Sequence, residues 1–116
     1  MKITVLGCGS SGGTPLVGAT GWGACDPNEP RNRRRRPSIL VEQGATTLLV
    51  DTSPDLREQM ISAGVEDIDA ILYTHAHADH VHGIDDIRSF NYRRSGPIDA
   101  WASAATLETL NYRFAY

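Results

Sequence analysis

All four histidines of the chain lie between residues 75 and 82, in the run Thr74-His75-Ala76-His77-Ala78-Asp79-His80-Val81-His82-Gly83. Its core reads H-x-H-x-D-H. Imidazole nitrogen and carboxylate oxygen together suit zinc, iron and manganese. A His-rich surface turn that picks up metal adventitiously has the same composition. Here, however, the run directly follows an apolar strand-like segment, Asp69 to Thr74, and strand ends are where layered proteins build sites. In extended chain alternate side chains share a face, so His75, His77 and Asp79 can point one way. His80 breaks that alternation and needs a turn of the backbone to join them. Asp79 and His80 diverge from the His75/His77 pair, so two metals suit the segment better than one: His75 with His77, and Asp79 with His80. Paired cations can polarise a phosphoryl oxygen, produce hydroxide at neutral pH and stabilise a leaving oxygen. His82 reads as a solvated residue of a helix's first turn.

Several elements must position that run. Residues 2–7 (KITVLG) are β-branched and apolar and predict a buried strand. A glycine-rich stretch, Gly7 to Pro15, opens a long loop that runs to about Pro37. Ser38 to Gln43 and Thr46 to Asp51 predict an antiparallel hairpin turned at Gly44-Ala45. Asp51 closes the second strand. Ser53-Pro54-Asp55 carries the marks of a helix start, with Ser53 as N-cap and Pro54 at the first helical position. Leu56, Met60 and Ile61 form its apolar face, and Gly64 its C-cap. Asp69 to Thr74 is a further strand, residues 81–90 a short helix, Ile98 to Ala102 a strand, and Ser103 to about Phe114 a helix capped by Ser103.

The order Gly7-x-Gly9-Ser10-Ser11-Gly12-Gly13, then Leu48-Leu49-Val50-Asp51, then Leu72-Tyr73-Thr74 followed by the histidine run resembles the N-terminal half of the metallo-β-lactamase superfamily. Within it the chain is most similar to the phosphoribosyl 1,2-cyclic phosphodiesterases, with the tRNA 3′-processing ribonucleases as neighbours. The resemblance implies an α/β (α+β) fold, an αββα sandwich with a mixed sheet and flanking helices, of which residues 1–116 would be the N-terminal half. It implies two divalent metal ions, zinc ahead of manganese. His75 and His77 would hold the first, and Asp79 and His80 the second. Asp79 would also act in catalysis, orienting a metal-bound hydroxide that attacks phosphorus. Asp51 would sit behind the metals and hold a ligand histidine in its tautomer. The implied substrate is a small or cyclic phosphodiester, with RNA ranked below it.

The same resemblance marks what is missing. The family completes its site with a further His, a bridging Asp and a last His from later segments, and no histidine follows His82. With two protein ligands per metal, against the three usual for catalytic zinc, the chain by itself is expected to be an incomplete enzyme. Cys8 and Cys25 lack the spacing of a structural zinc site and make no disulfide framework, which fits a cytoplasmic setting. The sheet edge left by a missing half allows a homodimer.

Ser10 and Ser11 in the glycine loop, and Arg36 at the end of the run Arg31-Asn32-Arg33-Arg34-Arg35-Arg36, are weaker candidates for phosphate contact. The loop lacks the Lys of a P-loop. The arginine run as a whole reads as a solvated loop, and Trp22, Tyr92 and Trp101 as packing residues. A formal net charge of −3 argues against general affinity for nucleic acid, and no apolar run reaches the ~20 residues of a membrane span.

Overall fold

A computed structural model describes residues 1–18 and 21–116. Ala19 and Thr20, within the long first loop, lie outside the described residues. Five strands form one mixed sheet in the order β1-β2-β3-β4-β5: β1 Lys2–Gly7, β2 Ser38–Gln43, β3 Thr46–Val50, β4 Ala70–Leu72 and β5 Asp99–Trp101. The first three strands pair antiparallel, and β3, β4 and β5 run parallel. Parallel neighbours need crossovers. Residues 51–69 supply the first, with α1 Leu56–Ala63. Residues 73–98 supply the second, with α2 Ala78–Val81, a 3₁₀ turn Ile84–Ile87 and α3 Arg88–Arg94. Helix α4, Ala104–Arg113, follows β5. This is the α/β architecture, a mixed sheet with flanking helices, that the family resemblance implies.

Strand register explains where the core lies. Leu40 pairs with Leu49, and Leu49 with Ile71, so all three project to one face. There they meet Leu56 and Met60 of the first crossover, Val81, Ile87 and Phe90 of the second, and Leu110 of α4. Fully burying each such side chain is worth roughly 1.5–3 kcal/mol. The alternate residues Ile3, Val5, Leu72 and Trp101 lie on the opposite face and are exposed. Strands β1 and β5 are the edges. Among the described residues no helix is long and apolar enough to cross a membrane.

Several local expectations are revised. Helix α1 starts at Leu56 with Asp55 in the cap position, two residues later than the Ser-Pro pattern suggested. Ser53 still stabilises the turn, its Oγ accepting from Asp55 N at 3.1 Å and donating to Gln59 Oε1 at 2.8 Å. Gln59 is therefore buried on the face assigned to Ile61, and Ile61 points outward. Gly64 closes the helix in the left-handed region at φ 64°, as expected of a C-cap glycine. The expected helix over 81–90 is three short pieces. Its chain turns already at Ala78, and Gly83 then passes close against the segment before α1, where a Cβ would lie 1.9 Å from Ser53 O. Tyr92 and Trp101 are exposed, so neither serves as a packing residue.

Candidate metal centre

The histidine run leaves the sheet where β4 ends, beside the end of its parallel neighbour β3. Crevices at the carboxyl ends of parallel strands are the usual sites of open α/β sheets. After Val50 the backbone enters the left-handed region at Asp51, φ 62°. Such a conformation is uncommon for a residue other than glycine, though Asp is among those that tolerate it. It turns the Asp51 carboxylate across toward the chain leaving β4. Asp51 Oδ1 accepts from Thr74 N at 2.8 Å, and Oδ2 accepts from Thr74 Oγ1 at 2.7 Å. The same Oδ2 lies 2.7 Å from His80 Nδ1.

A second set of bonds locks the histidine loop onto the first crossover. Thr52 N donates to His80 O at 2.8 Å, and Gly83 N donates to Thr52 O at 2.9 Å. The buried Thr52 hydroxyl lies 3.2 Å from both Val81 O and the Tyr73 hydroxyl. Burial pushes the Tyr73 phenol up to about 12; its bond with Thr52 opposes that rise and the Asp51 charge adds to it. From the far side, Arg113 of α4 donates to Ala76 O at 2.5 Å. Strand ends, a crossover loop and the last helix thus fix the backbone between residues 75 and 83.

The side chains gather more tightly than extended chain would allow. Asp79 and His80 lie on the helical turn α2, so the backbone turn expected for His80 is present and alternation on a strand does not explain the placement of Asp79. His75 and His77 rings meet edge-on with centroids 4.7 Å apart, and His75 and His80 rings lie 4.0 Å apart. Asp79 Oδ2 sits 3.3 Å from His80 Nε2. His82 is outside this group, its ring edge-on to Phe114 at 6.0 Å. Among the described residues no three His, Cys, Asp or Glu side chains form a ready cage for one cation; what the loop offers is pairs.

The Asp79–His80 pair tests whether a cation suits the site. Asp51 Oδ2 is an acceptor, so His80 Nδ1 carries the proton of their 2.7 Å contact. His80 Nε2 then presents a lone pair toward the Asp79 carboxylate. Two acceptors 3.3 Å apart repel unless a proton or a metal cation lies between them. Two ligands on a tetrahedral ion with bonds of about 2.0–2.1 Å are separated by about 3.3–3.4 Å. The donors therefore fit a divalent cation.

The weaker candidates lie in other bonding networks. Ser10 Oγ reaches Gly13 O at 3.4 Å within its own turn, and Ser11 is exposed. Arg36 is clamped by Asp55, whose Oδ2 accepts from Arg36 N at 2.8 Å and lies 3.1 Å from Nε. Its neighbours are also engaged: Arg31 with Glu29, Arg33 over the Trp22 ring, Arg34 on Cys8 Sγ, and Arg35 on Glu58 O and Ser62 Oγ. Thr74 and Thr52 also belong to the site, and only their adjacency to His75 and Asp51 marks them in the sequence. Nothing local in the sequence ties Arg113 to Ala76.

Fold and side chains together define an α/β protein with an imidazole–carboxylate centre at the ends of parallel strands. The chain belongs to the metallo-β-lactamase superfamily: residues 46–116 match the family described as the beta-lactamase superfamily domain. A Porphyromonas gingivalis protein named octanoyltransferase is 36% identical over 117 residues, a match covering all of this chain and 23% of that protein. A Bradyrhizobium ribonuclease Z is 38% identical over 72 residues, covering 60% of this chain and 24% of the enzyme. Among solved structures, a diphosphatase from the PhnP family superposes with a TM-score of 0.90 at 41% identity, over 98% of this chain and 46% of that one. Zinc-bound PqqB from Methylobacterium extorquens shares the fold, with a TM-score of 0.71 at 23% identity over 94% of this chain and 39% of that one. The chain spans less than half the length of each of these relatives.

Proposed function

We propose that His75, His77, Asp79 and His80 bind two divalent cations, zinc ahead of manganese, in a hydrolase that cleaves a P–O bond of a small or cyclic phosphodiester. The observation that carries this reading is the 3.3 Å approach of Asp79 Oδ2 to an imidazole nitrogen whose ring partner is fixed by Asp51. Bound there, the cations would supply Lewis-acid activation of a phosphoryl oxygen and of a water nucleophile. His75 with His77, and Asp79 with His80, donate to the two ions. Asp79 orients the attacking water by accepting its hydrogen bond. Asp51 holds His80 in the tautomer that leaves Nε2 free to donate.

A small substrate is favoured over RNA because Arg35 and Arg36 are held within the chain by Glu58, Ser62 and Asp55 and the formal net charge is −3. A diphosphate is a second reading, supported by the 41%-identical diphosphatase. Titrating zinc and manganese into metal-stripped protein, with turnover of bis-p-nitrophenyl phosphate and of a nucleoside diphosphate, tests both. We expect weak but measurable binding, because two protein ligands per ion is one fewer than catalytic zinc ordinarily has, with one ion lost in His80→Ala and the other in His75→Ala. Binding unaffected by His75→Ala and His80→Ala would sink the metal-centre reading. Turnover of the diphosphate alone would select the second substrate.

A further inference from the structure

Asp51 touches His80 directly but not His75, so some other group must decide which nitrogen of His75 is free to donate. We infer that Thr74 is that group: a positioning residue whose hydroxyl relays the Asp51 carboxylate to His75 and fixes its tautomer. This rests on the proposed metal centre only for its consequence, since the relay is a property of the metal-free protein.

The proton positions follow from donor and acceptor capacity. Thr74 Oγ1 lies 2.7 Å from Asp51 Oδ2 and 3.0 Å from His75 Nδ1. A hydroxyl has one proton to give, and a carboxylate oxygen can only accept. If that proton pointed at His75, two oxygens 2.7 Å apart would face each other with no hydrogen between them. It therefore lies on the Asp51 side. With its proton given to Asp51, the Thr74 oxygen can only accept at its two lone pairs, so His75 Nδ1, at 3.0 Å and nearer than His80 Nδ1 at 3.5 Å, is the donor and carries the ring's proton. His75 Nε2 is left with its lone pair, as His80 Nε2 is by its own contact with the same Asp51 oxygen. One buried carboxylate thus sets two imidazoles, one directly and one through Thr74. Thr74 N is itself held by Asp51 Oδ1 at 2.8 Å, which keeps the Thr74 backbone beside the same carboxylate. What a hydrogen bond at one ring nitrogen does to the other is the ordinary way a histidine is committed to a metal.

The test compares Thr74→Val, which keeps the branched shape and loses the hydroxyl, with Thr74→Ser, which keeps the hydroxyl. Long-range proton–nitrogen NMR of metal-free protein, at a pH where the imidazoles are neutral, reads each ring's tautomer. Wild type and Thr74→Ser are expected to show His75 protonated at Nδ1. Thr74→Val is expected to shift His75 toward the Nε2-protonated form while His80 stays protonated at Nδ1. Zinc affinity, read by competition with a chromophoric chelator, should fall about tenfold in Thr74→Val and recover in Thr74→Ser. His75 protonated at Nε2 in wild type, or unchanged by Thr74→Val, would overturn the relay. Wild-type protein that binds no zinc would instead refute the metal-centre reading, while the tautomer spectra still decide the relay.

Discussion

Replacing Asp51 by Asn probes the centre without removing an atom from its framework. The carboxylate accepts three bonds: from Thr74 N on Oδ1, and from Thr74 Oγ1 and His80 Nδ1 on Oδ2. An asparagine has one oxygen and one NH₂ for these two places. Thr74 N–H is a fixed donor, whereas a hydroxyl can rotate and an imidazole can change tautomer. The amide oxygen therefore settles on Thr74 N, and the NH₂ group faces Thr74 Oγ1 and His80 Nδ1. His80 must then accept at Nδ1 and carry its proton on Nε2, pointing at Asp79. The nitrogen proposed to donate to a cation becomes a donor to Asp79 instead. Loss of such supporting bonds ordinarily reduces metal affinity by about 10–100-fold, or about 1.4–2.7 kcal/mol. Folding should suffer less, because Asn tolerates the left-handed backbone at φ 62° and the number of hydrogen bonds is kept. The expected result is a metal-free melting temperature close to wild type with zinc affinity reduced at least tenfold in a chelator competition. A folded Asp51→Asn protein with wild-type affinity would refute the tautomer argument at its root.

Three further outcomes test the framework. Gly83→Ala places a Cβ 1.9 Å from Ser53 O and 2.9 Å from the Leu56 side chain, so it should destabilise by about 1–3 kcal/mol in denaturant unfolding and, by displacing the loop, weaken metal binding as well. Leu49→Ala removes a fully buried side chain at the centre of the sheet and should destabilise by about 2–5 kcal/mol. Tyr73 has its phenol raised from 10.0 to about 12, so its contribution is intact below pH 10 and is lost as pH climbs toward 12. Unfolding midpoints measured across that window should fall with pH, and the fall should be shallower in Tyr73→Phe; equal slopes would place the loss elsewhere.

Strand identity was the most legible part of the fold, because KITVLG, SILVEQ and TTLLV carry apolar runs between glycine turns, and register with neighbours then decides which face each residue takes. Helix limits were less legible. The Ser53-Pro54 signal is genuine in that Ser53 makes cap-like bonds, yet Asp55 spends its carboxylate on Arg36 and the helix proper waits for Leu56. That choice depends on a residue nineteen positions earlier, which no local pattern encodes. The same is true of Gln59, which is buried because its amide answers Ser53 on one side and Arg36 O on the other.

The histidine run shows the limit most clearly. Its residue types point to a metal site, but alternation along a strand is the wrong geometry for Asp79, whereas the turn expected before His80 is there. Asp79 and His80 come together on a helical turn, and that turn is held by Thr52 and Gly83 closing on one another from separate crossovers. Asp51 ends one strand and Thr74 leaves the next, so the acceptor that commits both His75 and His80 is built only when β3 and β4 pair in register. The candidate ligand chemistry is therefore written in a few adjacent residues, whereas readiness of those side chains to donate is a property of the sheet. A change that loosened the β3–β4 pairing, with every histidine still in place, would be expected to weaken the centre through the tautomers of its rings before it removed a single ligand.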